Sequence, residues 1–186
     1  MRTSRETICN LRSLMVIALM AAAEGLCQER QAKDASPQRR IVVSIPDRKL
    51  ALIEDGQVVK IYSTAVGAPC SPTPSGTYTI VERIPNPTWY GPAKVVGPGK
   101  GNPVGTRWMG LSRKGYGIHG TNNPRSIGHN ASHGCVRMRN RDVEDLFARV
   151  AVGDVVELHG ERDAEVTRIF GISEMAANTM TAGAAQ

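Results

Sequence analysis

Apolar and polar residues divide this chain into short blocks whose spacing suits strands better than helices. Residues 41–45 (Ile-Val-Val-Ser-Ile) and 50–53 (Leu-Ala-Leu-Ile) are brief β-type runs broken by Pro46 and Asp47. Asp55-Gly56 then supplies a dipeptide suited to a hairpin turn with positive φ. A third run covers 58–66, and residues 77–84 alternate small or polar with apolar side chains as a fourth. Pro69, Pro72 and Pro74 stiffen the connection between them. Residues 85–105 are rich in proline and glycine and predict a long irregular loop, a kind that is usually functional or mobile. Strands are predicted again over 106–112 and 117–119. One amphipathic helix follows Asn140, read as its N-cap, with Asp142, Glu144 and Asp145 near the positive end. Val143, Leu146, Phe147 and Val150 fall at i, i+3, i+4 and i+7, one stripe against a core. Gly153-Asp154 ends the helix, and 155–158 closes with a last strand. The prediction is mainly β: a single β-sandwich-like domain with one packed α-helix.

The flanks read differently. Arg2, Arg5 and Arg12 precede ten residues without a polar group (14–23), which end in Ala21-Ala22-Ala23. A basic start, a short apolar run and small residues are the parts of a secretory signal, and the run is about half of what a bilayer span needs. The expected division is a signal peptide over 1–23, a linker over 24–38, the domain over 39–159 and a flexible C-terminal tail over 160–186. Leu26 before Cys27 argues against a lipid-modified N-terminus, where a small residue is needed. No stable membrane span is expected after cleavage, which takes the formal charge from +6 to +4. A 41% apolar share supports a buried core, while 4% aromatics argue against a stacked-base, nucleic-acid reading.

The chemistry concentrates in one stretch. His119, His129, His133 and Cys135 lie within 17 residues, and the rest of the chain has one further histidine, His159. A thiol becomes a good nucleophile as thiolate, which a nearby imidazole can generate. Glycine beside the cysteine lets backbone N–H groups approach a reacting carbonyl. A cysteine nucleophile, a histidine base and amide donors point to acyl transfer. Same-strand neighbours His133 and Cys135 stand ~6.5–7 Å apart. A His119 opposite Cys135 on the next strand would come closer, with Cβ atoms ~4.5–5.5 Å apart. His119 is therefore favoured as the base, with His133 supporting. A zinc site from the three histidines and Cys135 is the rival reading, weakened by the lack of a Cys-x-x-Cys pair. No metal or cofactor is expected. His129 and His159 read as surface residues.

The block from Ile118-His-Gly-Thr to Ser132-His-Gly-Cys-Val-Arg-Met138 resembles the signature of the L,D-transpeptidase catalytic domain (YkuD type). Thr73-Pro-Ser-Gly-Thr-Tyr-Thr-Ile80 and Thr106-Arg-Trp-Met-Gly110 are similar to that family as well, so the likeness covers about 39–159. The resemblance implies a catalytic domain of the bacterial envelope, in the periplasm or cell wall, that remodels peptidoglycan. In such enzymes a cysteine attacks the carbonyl after the L-centre of the stem's third residue, terminal D-alanine leaves, and a second stem's amine resolves the thioester into a 3→3 link. Carried over, Cys135 is the nucleophile and His119 its base, with His133 in the catalytic set. Gly134, Cys135 and Gly120 would provide the oxyanion and backbone contacts. Arg137, Ser132 and Thr121 would contact substrate.

The acceptor stays open. Water would make the protein an L,D-carboxypeptidase, and a lipoprotein lysine an anchoring enzyme. A non-enzymatic wall-binding module is the remaining alternative. Cys9 would leave with the signal peptide, and Cys27 and Cys70 are incidental residues, paired or free.

Overall fold

The computed structural model describes residues 38–171. The expected signal peptide, the linker as far as Pro37 and the tail beyond Gly171 lie outside the described residues. β1 (Arg39–Ser44) pairs antiparallel with β2 (Lys49–Glu54), and β2 with the first part of β3 (Gln57–Gly67). On the other side of β1 lies β11 (Val155–His159), parallel to it, followed by the first half of β4 (Gly76–Pro85). The second layer begins where β3 leaves β2: Thr64 and Ala65 pair with β10 (Val136–Met138). From β10 it passes to β8 (Gly117–His119), to β7 (Arg107–Leu111) and back to the far half of β4. β3 and β4 therefore belong to both layers and close the sandwich at its two edges. A register shift between Ile80 and Glu82 bends β4 where it changes layer.

Alternation along the strands fills the interior. Ile41, Val43, Leu50 and Leu52 from one layer meet Met109, Ile118, Val136 and Met138 from the other. Helix α1 (Asn140–Arg149) adds Val143 and Leu146 to the same core, as its predicted stripe requires. Its N-terminus corrects the sequence reading, because Arg139 occupies the cap position and no side chain caps the helix. The Arg39 guanidinium donates to the Arg149 carbonyl at the other end.

Val42, Ala51 and Ile53 point the opposite way, out of the sandwich, and are also buried. Their cover is a second helix, α2, over 164–171, whose Val166, Ile169 and Phe170 pack on them. The expectation of a flexible tail from 160 is thus wrong for these residues. Both faces of β1 and β2 need a partner, which is why their apolar runs are unbroken. The Asp163 carboxylate caps α2 by accepting the Val166 N–H at 2.8 Å. Arg40 ties the helix down, donating to Glu157 at 2.7 Å and Glu165 at 2.6 Å. His159 is half-buried beside it, with Nδ1 2.7 Å from Asp163. No helix among the described residues is long and apolar enough to cross a membrane.

The stretch 85–105 is more ordered than its composition suggests. β5 (Trp89–Tyr90) and β6 (Val95–Val96) form a short hairpin. Asn102, fully buried, fastens it: Nδ2 donates to the carbonyls of Pro87 (2.7 Å), Gly97 (3.1 Å) and Val96 (3.3 Å). Its Oδ1 accepts the Val104 N–H at 2.9 Å. A carboxamide with two donors and one acceptor suits a loop whose backbone groups have no ladder to join.

Candidate active site

β8 and β10 run parallel, with Ile118 opposite Val136 and His119 opposite Arg137. Ile118, Val136 and Met138 turn into the core, so His119, Arg137 and, two residues earlier, Cys135 share the outer face. His119 faces Arg137 and lies diagonal to Cys135, which corrects the expectation of a directly opposed pair. The three side chains line one cleft of about 420 Å³, together with Trp108 and His133. Trp89 and Tyr90 of the β5–β6 hairpin and Pro103 and Val104 behind it form its other wall.

His119 is buried, and its Nδ1 lies 2.6 Å from the Gly120 carbonyl. A carbonyl only accepts, so Nδ1 carries the proton and Nε2 keeps its lone pair. Burial pushes the imidazole down to about 4; the Gly120 carbonyl opposes this and the Arg137 charge adds to it. Burial also pushes the Cys135 thiol up, against the Gly117 backbone and the Arg137 charge. The resting pair at neutral pH is a thiol and a neutral imidazole. The Cys135 S–H donates to the Gly115 carbonyl at 3.7 Å. Burial lowers the Arg137 pKa, and its Nε is buried without a hydrogen-bond partner among the described residues.

The turn before Cys135 is built around Ser132. Its hydroxyl accepts the Gly134 N–H at 3.0 Å and donates to the Cys135 carbonyl at 2.6 Å. Gly134 has φ +106°, and a Cβ there would stand 2.7 Å from the Tyr116 ring, so only glycine fits. β9 (Asn130–Ser132) anchors the turn to the end of β3, where Ser132 O accepts the Ala68 N–H at 2.9 Å. The Thr73 hydroxyl in turn accepts the Gly67 N–H at 2.8 Å.

Several expectations change accordingly. The Gly134 amide is engaged by Ser132, and the Gly120 amide donates to the Arg107 carbonyl at 3.1 Å. Both of these amides therefore have an acceptor in this structure. Ser132, almost fully buried in the cleft lining, has its hydroxyl engaged in the turn. Thr121 is likewise buried, its hydroxyl accepting the Asn123 N–H at 3.0 Å. His133 is exposed and lines the cleft, whereas His129 is exposed outside its lining. Among the described residues, the metal-type donors gathered within 4.8 Å are Glu157, His159 and Glu165, not the histidine–cysteine set. The Arg40 guanidinium already binds both of those carboxylates.

Two contributors escaped the sequence reading. The Trp108 ring stacks on His119, centroids 5.6 Å apart at 26°. Asn140, read as a helix cap, instead turns its Oδ1 to the Thr121 N–H at 3.0 Å. Only the alternation of β7, which sets Trp108 opposite His119, could have flagged the first.

A sandwich closed by two shared strands, carrying a thiol and an imidazole on one outer face, defines a β-rich domain with the groups for acyl transfer. The family model for the L,D-transpeptidase catalytic domain (YkuD) matches residues 38–158, and the chain belongs to that family. A Bacillus licheniformis protein named as the L,D-transpeptidase YkuD is 45% identical over 119 residues, 64% of each chain. The match thus spans under two thirds of that relative's length. The solved catalytic domain of the Enterococcus faecium L,D-transpeptidase superposes with a TM-score of 0.55 at 25% identity, covering 65% of this chain and 96% of that one. A Mycobacterium tuberculosis L,D-transpeptidase gives 0.57 at 21% identity, covering 67% and 58%.

Proposed function

We propose that this domain is a peptidoglycan L,D-transpeptidase that works through a Cys135 thioester and forms 3→3 cross-links. The observation that carries the reading is the shared outer face of β8 and β10. It sets Cys135 and His119 in one cleft, with His119 Nδ1 tied to Gly120 and Nε2 left for proton transfer. Nε2 takes the thiol proton as sulfur attacks the stem carbonyl after the L-centre. The same proton passes to the amine of departing D-alanine, leaving the acyl group on sulfur. An amine of a second stem then attacks the thioester, gives its proton to His119 and restores the thiol. A neutral base and a neutral thiol suit a proton transfer concerted with attack.

Arg137, with an unsatisfied buried Nε beside the cysteine, offers a charged donor to a substrate carboxylate. The Cys135 amide is proposed to hold the oxyanion, with exposed His133 at the cleft contributing to the acceptor side. The substrate lies in the cell wall, so the reading includes export through residues 1–23.

Intact-mass measurement after incubation with a carbapenem tests the nucleophile; a related L,D-transpeptidase has been solved in complex with imipenem. The expected result is a single covalent adduct, lost in Cys135→Ala and slow to form in His119→Ala. Labelling that survives Cys135→Ala would overturn the assignment. Digestion with muropeptides then separates cross-linking from trimming by water, and a lipoprotein acceptor would appear as a peptide-linked product.

A further inference from the structure

The base is held by more than its backbone tie. Trp108 lies opposite His119 across the β7–β8 ladder, and its indole stacks on the imidazole at a centroid distance of 5.6 Å. The indole is fixed at its far side, where Nε1–H donates to Glu82 Oε1 at 2.8 Å. Both contacts depend on missing side chains. A Cβ at Gly117 would stand 2.7 Å from the Trp108 ring, and one at Gly110 2.7 Å from the Glu82 side chain. Glycine at these two strand positions, otherwise a cost to a strand, leaves room for an indole lying flat and a glutamate reaching it.

We propose that Glu82 and Trp108 form a positioning pair for His119, the carboxylate fixing the indole and the indole face fixing the imidazole that takes the proton from Cys135. The inference rests on the thiol–imidazole reading above and adds a role for two residues outside it. Without a third group, the imidazole could turn about its single tie to Gly120. The indole removes that freedom and gives the imidazolium formed during reaction a π face within the ~6 Å over which a cation is attracted. The cleft offers that cation little else. The titratable and charged groups facing it are Cys135, Arg137, exposed His133 and, from the hairpin, Tyr90, with Glu82 behind the indole. Arg137 opposes the positive form of His119. From α1, the residue at this segment is uncharged Asn140.

Glu82 does not line the cleft, so its effect is separable from binding. The test is carbapenem acylation of the full chain, with Cys135 labelling identified by peptide mapping and kinact resolved from KI. Glu82→Ala is expected to lower kinact about five- to tenfold with KI unchanged, and Trp108→Phe, which lacks the N–H, to lower kinact by a similar factor. The double variant should be no slower than Trp108→Phe alone, because one tether is removed twice. Glu82→Gln, which keeps the acceptor oxygen, should retain most of the rate. Trp108→Leu removes the π face and should move the acid limb of the rate profile to lower pH, while Trp108→Phe leaves it in place. A wild-type kinact in Glu82→Ala, or losses that multiply in the double variant, overturns the pairing while the nucleophile stands. Absence of any adduct on wild-type Cys135 overturns the underlying reading and the pairing with it.

Discussion

Asn140 accepts the Thr121 N–H at 3.0 Å and so binds the first residue of α1 to the segment that follows His119. A Cβ at Gly105 or Gly120 would collide with this carboxamide, so two glycines enclose it. The peptide held this way leads directly from the Gly120 carbonyl that orients the base. The helix thereby braces the peptide whose carbonyl holds the imidazole.

Asn140→Ala should lower the rate of Cys135 acylation about tenfold and cost ~1–2 kcal/mol of stability, the usual consequence of leaving a buried amide unpaired. Asn140→Asp keeps an acceptor oxygen and should recover most of the rate. Acylation kinetics with urea unfolding of both variants checks this.

Acidification should act on stability through His119. Burial holds the folded imidazole at about 4, below its ordinary 6.5, so between these pH values the unfolded chain binds more protons. The contribution, on the order of 3 kcal/mol, is complete above pH 6.5, falls as pH drops from 6.5 to 4 and levels off below. Replacing His119 by Gln should flatten this part of the stability–pH curve. Acylation, which needs the neutral imidazole, should persist well below pH 6.5.

Asn102→Ala should loosen the β5–β6 hairpin, because Nδ2 serves three carbonyls at once. A local loss of ~2–3 kcal/mol is expected. It would appear as faster hydrogen exchange across 87–104 with little change at β1 and β2. Asn102→Asp should do more harm than Ala, since it sets a carboxylate against those carbonyls.

Phe170→Ala should destabilise the domain by ~3–4 kcal/mol, as expected for emptying a fully buried aromatic site. Urea denaturation measures it. A loss under 1 kcal/mol would mean that α2 adds little to the cover over Val42 and Ile53.

The strands, the stripe of α1 and the cluster of His119, His133 and Cys135 were legible in the sequence, since each depends on local spacing. Strand alternation puts Ile118 and Val136 inward, and that alone forces His119 and Cys135 outward. α2 was written in the spacing of Val166, Ile169 and Phe170, but its need was visible only once Val42, Ala51 and Ile53 were seen to require cover.

What the chain itself determined is the set of reactive groups and the two periodicities that place them on one face. The tertiary structure decided which groups remain available. The Gly134 amide and the Ser132 hydroxyl, both plausible on paper, are spent on each other. Trp108 and Asn140 gain their places near the base by antiparallel pairing of β7 with β8 and by the seating of α1. Hydrogen-bond capacity is finite and is allotted across segments distant in sequence, so no local pattern can announce how it is shared.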